Sequence, residues 1–281
     1  MNRLAVLGHP VSHSRSPAMQ TAALDALGLG NEWTYEAIDV EPDRFDACVR
    51  ELPGEEFAGV NVTIPHKEAA LAVADQASRA AQEIGAANTL SFAAGGIRAE
   101  NTDATGLLAS LPGPVEGRTA LVLGAGGSAR AAVWALAGAG ASVSVWNRTG
   151  TRADDLVRDL AVAGRDTPAE GLLAPVSGDQ ARAGSYELIV NCTAIGMGDE
   201  DPFEHLPLDP ERLDAEIVLV DLVYAGSESR LVTEARSRSA KAVDGLEVLV
   251  RQGAESLRIW TGMEPDLDVM RDAARGKSPD G

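Results

Sequence analysis

The stretch ALVLGAGGSARAAVWALAGAGASVSVWNRT, residues 120–149, restricts the possible folds more than any other part of the chain. A short apolar strand runs straight into Gly124, Gly126 and Gly127, a small residue follows at Ala129, and a helix and a second strand, SVSVW, come at once. Each small residue answers a physical demand. Gly124 allows a sharp turn, Gly126 lets the backbone approach a pyrophosphate, and Ala129 lets the helix pack close to the strand, while the helix N-terminus offers free N–H groups to an anion. A plain strand-to-helix turn can also use glycine, but with strand, helix and second strand all in place the pattern points to a dinucleotide site.

The end of the second strand bears on which dinucleotide. An NAD site carries an Asp or Glu about 20 residues beyond the glycines to hold the ribose hydroxyls. This chain has Asn147, Arg148, Thr149 and then Arg152. A carboxylate would repel a 2′-phosphate and guanidinium groups would grip it, so the expected cofactor is NADP. A solvated turn before a helix is the plainer reading of NRTGTR. It explains less, because the net charge is −18 and a local excess of arginine stands out against it.

That acidity also disfavours nucleic acid or an anionic membrane as partner, since no compensating Lys/Arg block appears. The opening MNRLAVLGHP has too short an apolar run for a signal peptide, and no stretch reaches the ~18 apolar residues of a membrane span, so a cytoplasmic protein is expected. Cys48 and Cys192 match no metal or redox spacing. They read as buried free thiols, Cys192 in an apolar strand, and no metal site is expected.

At 281 residues, and roughly 150 per domain, the length suits two domains. Strands and helices alternate, which implies an α/β fold. RLAVLG, WTYEAIDV, GVNVTIP and AANTLSF read as strands, SPAMQTAALDAL as a helix, and KEAALAVADQASRAAQEI as one helix. SFAAGGIRAE reads as a hairpin turning on Gly95 and Gly96. TGLLASL is a short helix, PGPVEG a linker-like break, and the domain junction is placed near 103–117. The division expected is 1–103 and 104–243, with a flexible tail at 276–281.

With a nucleotide domain in the second half, the polar loops of the first half become candidates for a substrate site. HPVSHSRSPAMQ carries Ser12, Ser14 and Ser16. Ser16 before Pro17 is explained equally well as a helix N-cap; Ser14 is not, and His13 reads as structural. In NVTIP, alternation puts Asn61 and Thr63 on one face and Val62 and Ile64 on the other, the face expected to be buried. Lys67 falls in the first helical turn, where the dipole opposes an ammonium group. Asp103 can be read as an N-cap for the short helix, and Gln252 lies at the flank of an apolar stripe of Leu246, Leu249, Val250, Leu257 and Trp260.

Taken in order, GHPVSHSRSP, NVTIPHK, GAANTL, NTD, VLGAGGSARA, NRTGTR, NCTAIGM, DLVY and DGLEVLVRQGAESLRIWTG cover nearly the whole chain, and the chain resembles the shikimate dehydrogenase family. The resemblance implies two α/β domains with a cleft between them: an N-terminal substrate-binding domain completed by C-terminal helices at 244–275, and a Rossmann-type NADP-binding domain. It implies reversible NADPH-dependent reduction of 3-dehydroshikimate to shikimate, in aromatic amino-acid biosynthesis.

Carried over residue by residue, the resemblance makes Lys67 and Asp103 the catalytic pair. Ser14 and Ser16 would hold the substrate carboxylate, with Thr63, Asn88, Tyr224 and Gln252 completing the pocket. The cofactor would meet Gly124, Ala125, Gly126, Gly127, Ser128, Asn147, Arg148, Thr149, Arg152, Leu222 and Gly245. Such enzymes act on a small molecule, as monomer or homodimer. In the reduction, a proton donor must stand near the carbonyl oxygen as it becomes alkoxide-like, and Lys67 can supply charge and proton. Asp103 would favour the ammonium that the helix terminus opposes, so acid/base and electrostatic roles for Lys67 both stay open. The chain departs from the family pattern at Gln20, at Ala194 and after Tyr224. A quinate/shikimate dehydrogenase with relaxed cofactor use and a non-catalytic nucleotide-binding regulator are the alternative readings.

Overall fold

The computed structural model describes residues 1–163, 172–224 and 228–276. The chain divides into two compact units, Met1–Gly106 with the chain from Leu249 onward, and Leu107–Val248.

The first unit is built on β1 (Asn2–Gly8), α1 (Ser16–Ala26), β2 (Trp33–Asp39), α2 (Phe45–Glu51), β3 (Phe57–Val62), α3 (Lys67–Val73), β4 (Gln76–Ala77), α4 (Arg79–Ile84), β5 (Thr89–Ala93) and β6 (Gly96–Glu100). Its sheet has the order β2-β1-β3-β5-β6-β4. β2, β1 and β3 are parallel, β5 enters antiparallel to β3, and β5 and β6 form the expected hairpin, with Ala93 opposite Gly96. The core gathers Leu7, Phe45, Val49, Val60, Val62, Ala70, Ala81 and Leu90.

A helix, α5 (Asp103–Ser110), carries the chain into the second unit. There follow β7 (Thr119–Leu123), α6 (Gly127–Gly138), β8 (Ser142–Trp146), α7 (Gly150–Ala163), β9 (Leu173–Pro175), α8 (Gly178–Ala183), β10 (Leu188–Asn191), α9 (Pro202–His205), β11 (Val218–Asp221), α10 (Arg230–Ser237) and β12 (Lys241–Val243). The sheet order is β12-β11-β10-β7-β8-β9, with every pair parallel. This is the doubly wound dinucleotide-binding order, reversing direction between β7 and β10. Parallel strands need cover on both faces. Val122, Val145, Leu136 and Leu156 pack in one cluster, and Leu121, Leu123, Leu219, Leu231 and Val232 in the other. The chain ends with α11 (Gly245–Thr261), which starts in the second unit and continues into the first, and α12 (Leu267–Ala274).

Several local expectations fail. The single helix expected over 67–84 is broken into α3 and α4 by β4. Asp75 N–H donates to Ile97 O at 2.9 Å, Ser78 N–H to Ala99 O at 2.9 Å, and Asp75 Oδ2 accepts from Ile97 N–H at 2.8 Å. Pairing with β6 satisfies this backbone, and tertiary pairing overrides helix propensity. The face assignment in NVTIP is also reversed in part, because Asn61 is buried and Ile64 is 54% exposed. β3 is covered on both faces and ends at Val62, so alternation there has no wet side. Cys48 and Cys192 are free of disulfides but half-buried rather than buried, Cys192 lying just past the end of β10. Residues 277–281 of the expected tail, and 225–227 of the loop after Tyr224, lie outside the described residues.

Candidate functional site

Lys67 is the first residue of α3 and Asp103 the first of α5, and the lysine Nζ donates to Asp103 Oδ2 at 2.5 Å. Both side chains are largely covered, at 11% and 16% exposure. Asp103 Oδ1 accepts from Asn88 Nδ2 at 2.9 Å, so each carboxylate oxygen has a nitrogen donor. The orientation of the Asn88 amide is fixed chemically. Its Oδ1 takes the Thr102 backbone N–H at 2.7 Å, a donor only, and its Nδ2 faces a carboxylate, an acceptor only. Asn88 Nδ2 also reaches Gln252 Oε1 at 3.0 Å, leaving the Gln252 Nε2 to donate to Leu249 O at 3.0 Å. Lys67, Asp103, Asn88 and Gln252 are therefore brought together inside the first unit, from α3, α5, the turn before β5, and α11.

Close backbone approach delivers Gln252. A β-carbon on Gly106 would stand 2.7 Å from Gln252 Cβ and 2.8 Å from its backbone nitrogen, so α5 and α11 meet with no side chain between them. The site also rests on a buried polar residue that the sequence alone does not single out. Ser256, fully buried on α11, accepts from Asn61 Nδ2 at 2.9 Å, lies 2.8 Å from Thr89 Oγ1 and 3.1 Å from Thr102 Oγ1, and donates to Gln252 O at 3.0 Å. A serine one turn after Gln252 was the available signal, and an i, i+4 hydroxyl alone says little.

The serine loop follows β1. Ser14 Oγ accepts the Ser16 N–H at 3.2 Å. Ser16 is the first residue of α1 rather than its cap; Arg15 holds the cap position and makes no side-chain cap bond. The loops after β1 and β3 run together, with Thr63 N–H bonded to Leu7 O at 2.8 Å and His9 N–H to Ile64 O at 3.0 Å. Thr63, half-buried, fills with its methyl the space beside Gly8. Gln20, on α1, is fully buried and donates to Gly253 O at 3.0 Å, tying α1 to α11. His66, beside Lys67, stacks on Phe45 and donates to Val40 O at 2.7 Å, and burial holds its pKa below the ordinary value of 6.5.

In the second unit the glycine turn lies at the carboxyl end of β7. Gly124 has φ +114°, and a β-carbon there would stand 3.2 Å from the Cys192 backbone. Gly126 holds the N-cap position of α6 without a side-chain cap, and, its own stretch of backbone aside, no atom of the described residues lies within 4 Å of where its β-carbon would be. Gly127 and Ser128 open the helix, and Ala125 is buried beneath the turn. Asn147, Arg148, Thr149 and Arg152 follow β8, the strand next to β7 in the sheet, with Asn147 Nδ2 donating to Thr149 O at 2.9 Å. Arg148 and Arg152 are exposed and make no ion pair among the described residues. An open, uncapped helix N-terminus beside two uncommitted guanidinium groups fits a dinucleotide with an added phosphate. Leu222 and Tyr224 follow β11, both half-buried, and Gly245 packs against the Leu222 and Val223 carbonyls. Among the described residues no cluster of three or more His, Cys, Asp or Glu could hold a metal ion, and no helix is long and apolar enough to cross a membrane.

Doubly wound order, open glycine turn and a lysine–carboxylate pair define the class of dinucleotide-dependent oxidoreductases. Residues 6–90 match the shikimate dehydrogenase substrate binding domain, and residues 245–275 the shikimate 5′-dehydrogenase C-terminal domain. The shikimate dehydrogenase (NADP(+)) of Symbiobacterium thermophilum is 43% identical over 96% of this chain and 92% of its own. A Thermus thermophilus shikimate 5-dehydrogenase, solved in complex with NADP(H) and shikimate, superposes with TM-score 0.84 at 42% identity, covering 98% of this chain and 99% of that one. The ligand-free 5-ketofructose reductase of a Gluconobacter strain superposes equally well, TM-score 0.84 over 98% of each chain, at 29% identity. The chain belongs to the shikimate dehydrogenase family.

Proposed function

We propose that the protein catalyses the NADPH-dependent reduction of 3-dehydroshikimate to shikimate, and its reverse, as an NADP-dependent oxidoreductase of aromatic amino-acid biosynthesis. The observation that carries this reading is the Lys67–Asp103–Asn88–Gln252 constellation in a chain at 43% identity to a shikimate dehydrogenase. Bound NADPH supplies the hydride. Lys67 places an ammonium proton at the carbonyl oxygen as negative charge grows there. Asp103, held from its far oxygen by Asn88, aims that ammonium group, and it also stands ready to accept a substrate hydroxyl. Gln252 and Asn88 address the ring hydroxyls, Ser14 and Ser16 the substrate carboxylate, and Thr63 and Tyr224 complete the pocket. Arg148 and Arg152 take the 2′-phosphate, with Asn147 and Thr149 shaping their turn. Gly124 to Ser128 cradle the pyrophosphate, and Leu222 and Gly245 border the nicotinamide. The setting is cytoplasmic, and the enzyme works as a monomer or homodimer.

The assay that tests this follows reduced-nicotinamide absorbance with shikimate or quinate and NADP or NAD, in all four combinations. Shikimate with NADP should exceed each other pair in kcat/KM by about 10². Equal rates with quinate or NAD would replace this reading with a relaxed quinate/shikimate dehydrogenase, and no turnover in any pair would reject it.

A further inference from the structure

Asp221 ends β11, fully buried, opposite its register partner Asn191 at the end of β10. Its Oδ1 accepts from Asn191 Nδ2 at 2.8 Å and from Val223 N–H at 3.2 Å, and its Oδ2 from Ser229 Oγ at 2.6 Å. Burial pushes its carboxyl pKa up, and these three donors pull against that. A carboxylate taken out of water is a poor device for stability alone, since an apolar core often does as well. What distinguishes this carboxylate is the set of segments it joins.

Through Asn191 it reaches the loop after β10, where Asn191 Oδ1 accepts the Thr193 N–H and hydroxyl at 3.1 and 2.7 Å and Asn191 Nδ2 donates to Ile195 O at 3.3 Å. That loop abuts the glycine turn, with the Cys192 backbone filling the space beside Gly124. Through Val223 it holds the backbone whose carbonyls, those of Leu222 and Val223, press against Gly245. Through Ser229, which accepts the Val232 N–H at 3.2 Å, it holds the start of α10. Three segments at the carboxyl edge of a doubly wound sheet, where ligands bind in such sheets, thus meet on one side chain.

We propose that Asp221 is a positioning residue for the reaction proposed above, acting through the Leu222–Tyr224 backbone and the loop after Asn191 rather than by contact with reacting atoms. The proposal rests on the function given above, but its primary test does not. In the ligand-free full chain, D221N should speed amide exchange at Val223 and Tyr224 by about tenfold, with the α6 and β7 amides unchanged. By calorimetry the dissociation constant for NADP should stay within about threefold, because the glycine turn and the two arginines are intact, while kcat falls by about 10². The primary isotope effect from shikimate deuterated at the hydride-donating carbon should rise, which a simple loss of folded protein would not cause. Unchanged exchange at Val223 and Tyr224, or an unchanged isotope effect with loss of NADP affinity and kcat in parallel, overturns the proposal. If D221N does not fold, S229A removes the Oδ2 bond together with the cap on the Val232 N–H, leaves the Asn191 and Val223 bonds in place, and carries the same comparison, with smaller shifts in the same directions. Wild-type protein inactive on shikimate would reject the function while leaving the exchange result to decide the positioning role.

Discussion

Asn101 accepts the backbone N–H of Ala104 through its side chain at 3.2 Å, the helix-start bond that the local sequence also offers to Asp103 two residues on. Its own Nδ2 is anchored to Ala86 O at 2.9 Å. With the first turn of α5 served by Asn101, both oxygens of Asp103 are released to Lys67 and Asn88. The NTD triplet thus divides its labour: Asn101 caps, Thr102 lends the N–H that orients Asn88, and Asp103 faces the lysine.

Lys67→Ala should therefore lower kcat for shikimate oxidation by about 10²–10⁴, the usual weight of a positioned acid/base group. Calorimetry should show NADP binding nearly intact, since no cofactor-side residue changes. A variant retaining most of its kcat would remove Lys67 from the chemistry.

Gly106→Ala tests the contact between α5 and α11. The new methyl would meet Gln252 Cβ and backbone, neither of which can swing aside as the end of a flexible side chain could. Forcing the helices apart should cost about 1–3 kcal/mol of stability by urea unfolding. It should also raise the KM for shikimate more than the KM for NADP, because Gln252 moves with its helix. Unchanged stability and KM would show that the two helices part without cost.

Much of the second unit was legible because its demands are local. Gly124, Gly126 and Ala129 follow one another within a single turn, and Arg148 and Arg152 follow one strand. The first unit hides its logic in distance, since Gln252 and Asn88 meet across 164 residues and Ser256 is buried against Asn61 across 195. No periodicity within α11 announces that its polar flank is a floor for Asn88. Only the resemblance brought Gln252 to the site, and it passed over Ser256. The break at Asp75–Ser78 was illegible for the same reason. Helix propensity argues for continuity there, and the β6 edge that captures the backbone lies some twenty residues on. Alternation puts Asn61 on a wet face because it presumes one, and a strand covered on both sides has none.

Acidification should expose the burial of His66. Its folded pKa lies below the 6.5 of the unfolded chain, so the stability it contributes is complete above pH 6.5 and is lost as pH falls through 6.5 toward the folded value. Exposed His9 works in the opposite sense: Asp39 raises its pKa, and its contribution is present below 6.5 and lost as pH rises through the raised value. Comparing His66→Gln, which keeps a donor for Val40 O, with wild type therefore isolates the buried ring. The unfolding midpoint of wild type should drop relative to the variant between pH 7.5 and 5.5; parallel midpoints would show that His66 does not titrate in this range.

Arg148 and Arg152 stand against the whole charge of the molecule. A protein of net charge −18 repels a dinucleotide bearing an extra phosphate, so NADP selectivity requires a local reversal of sign. Each charge-assisted hydrogen bond to that phosphate is worth about 1.5–3 kcal/mol. Replacing both arginines by alanine should raise the KM for NADP by about 10²-fold or more. The KM for NAD should barely change, since no phosphate is there to lose. The wild-type KM for NADP should also climb with salt as the arginines are screened, and that dependence should flatten in the double variant. Equal losses for NADP and NAD would mean that the two residues support the turn after β8 instead of reading the phosphate. In that case the preference for NADP would have to be sought elsewhere along the carboxyl edge of the sheet.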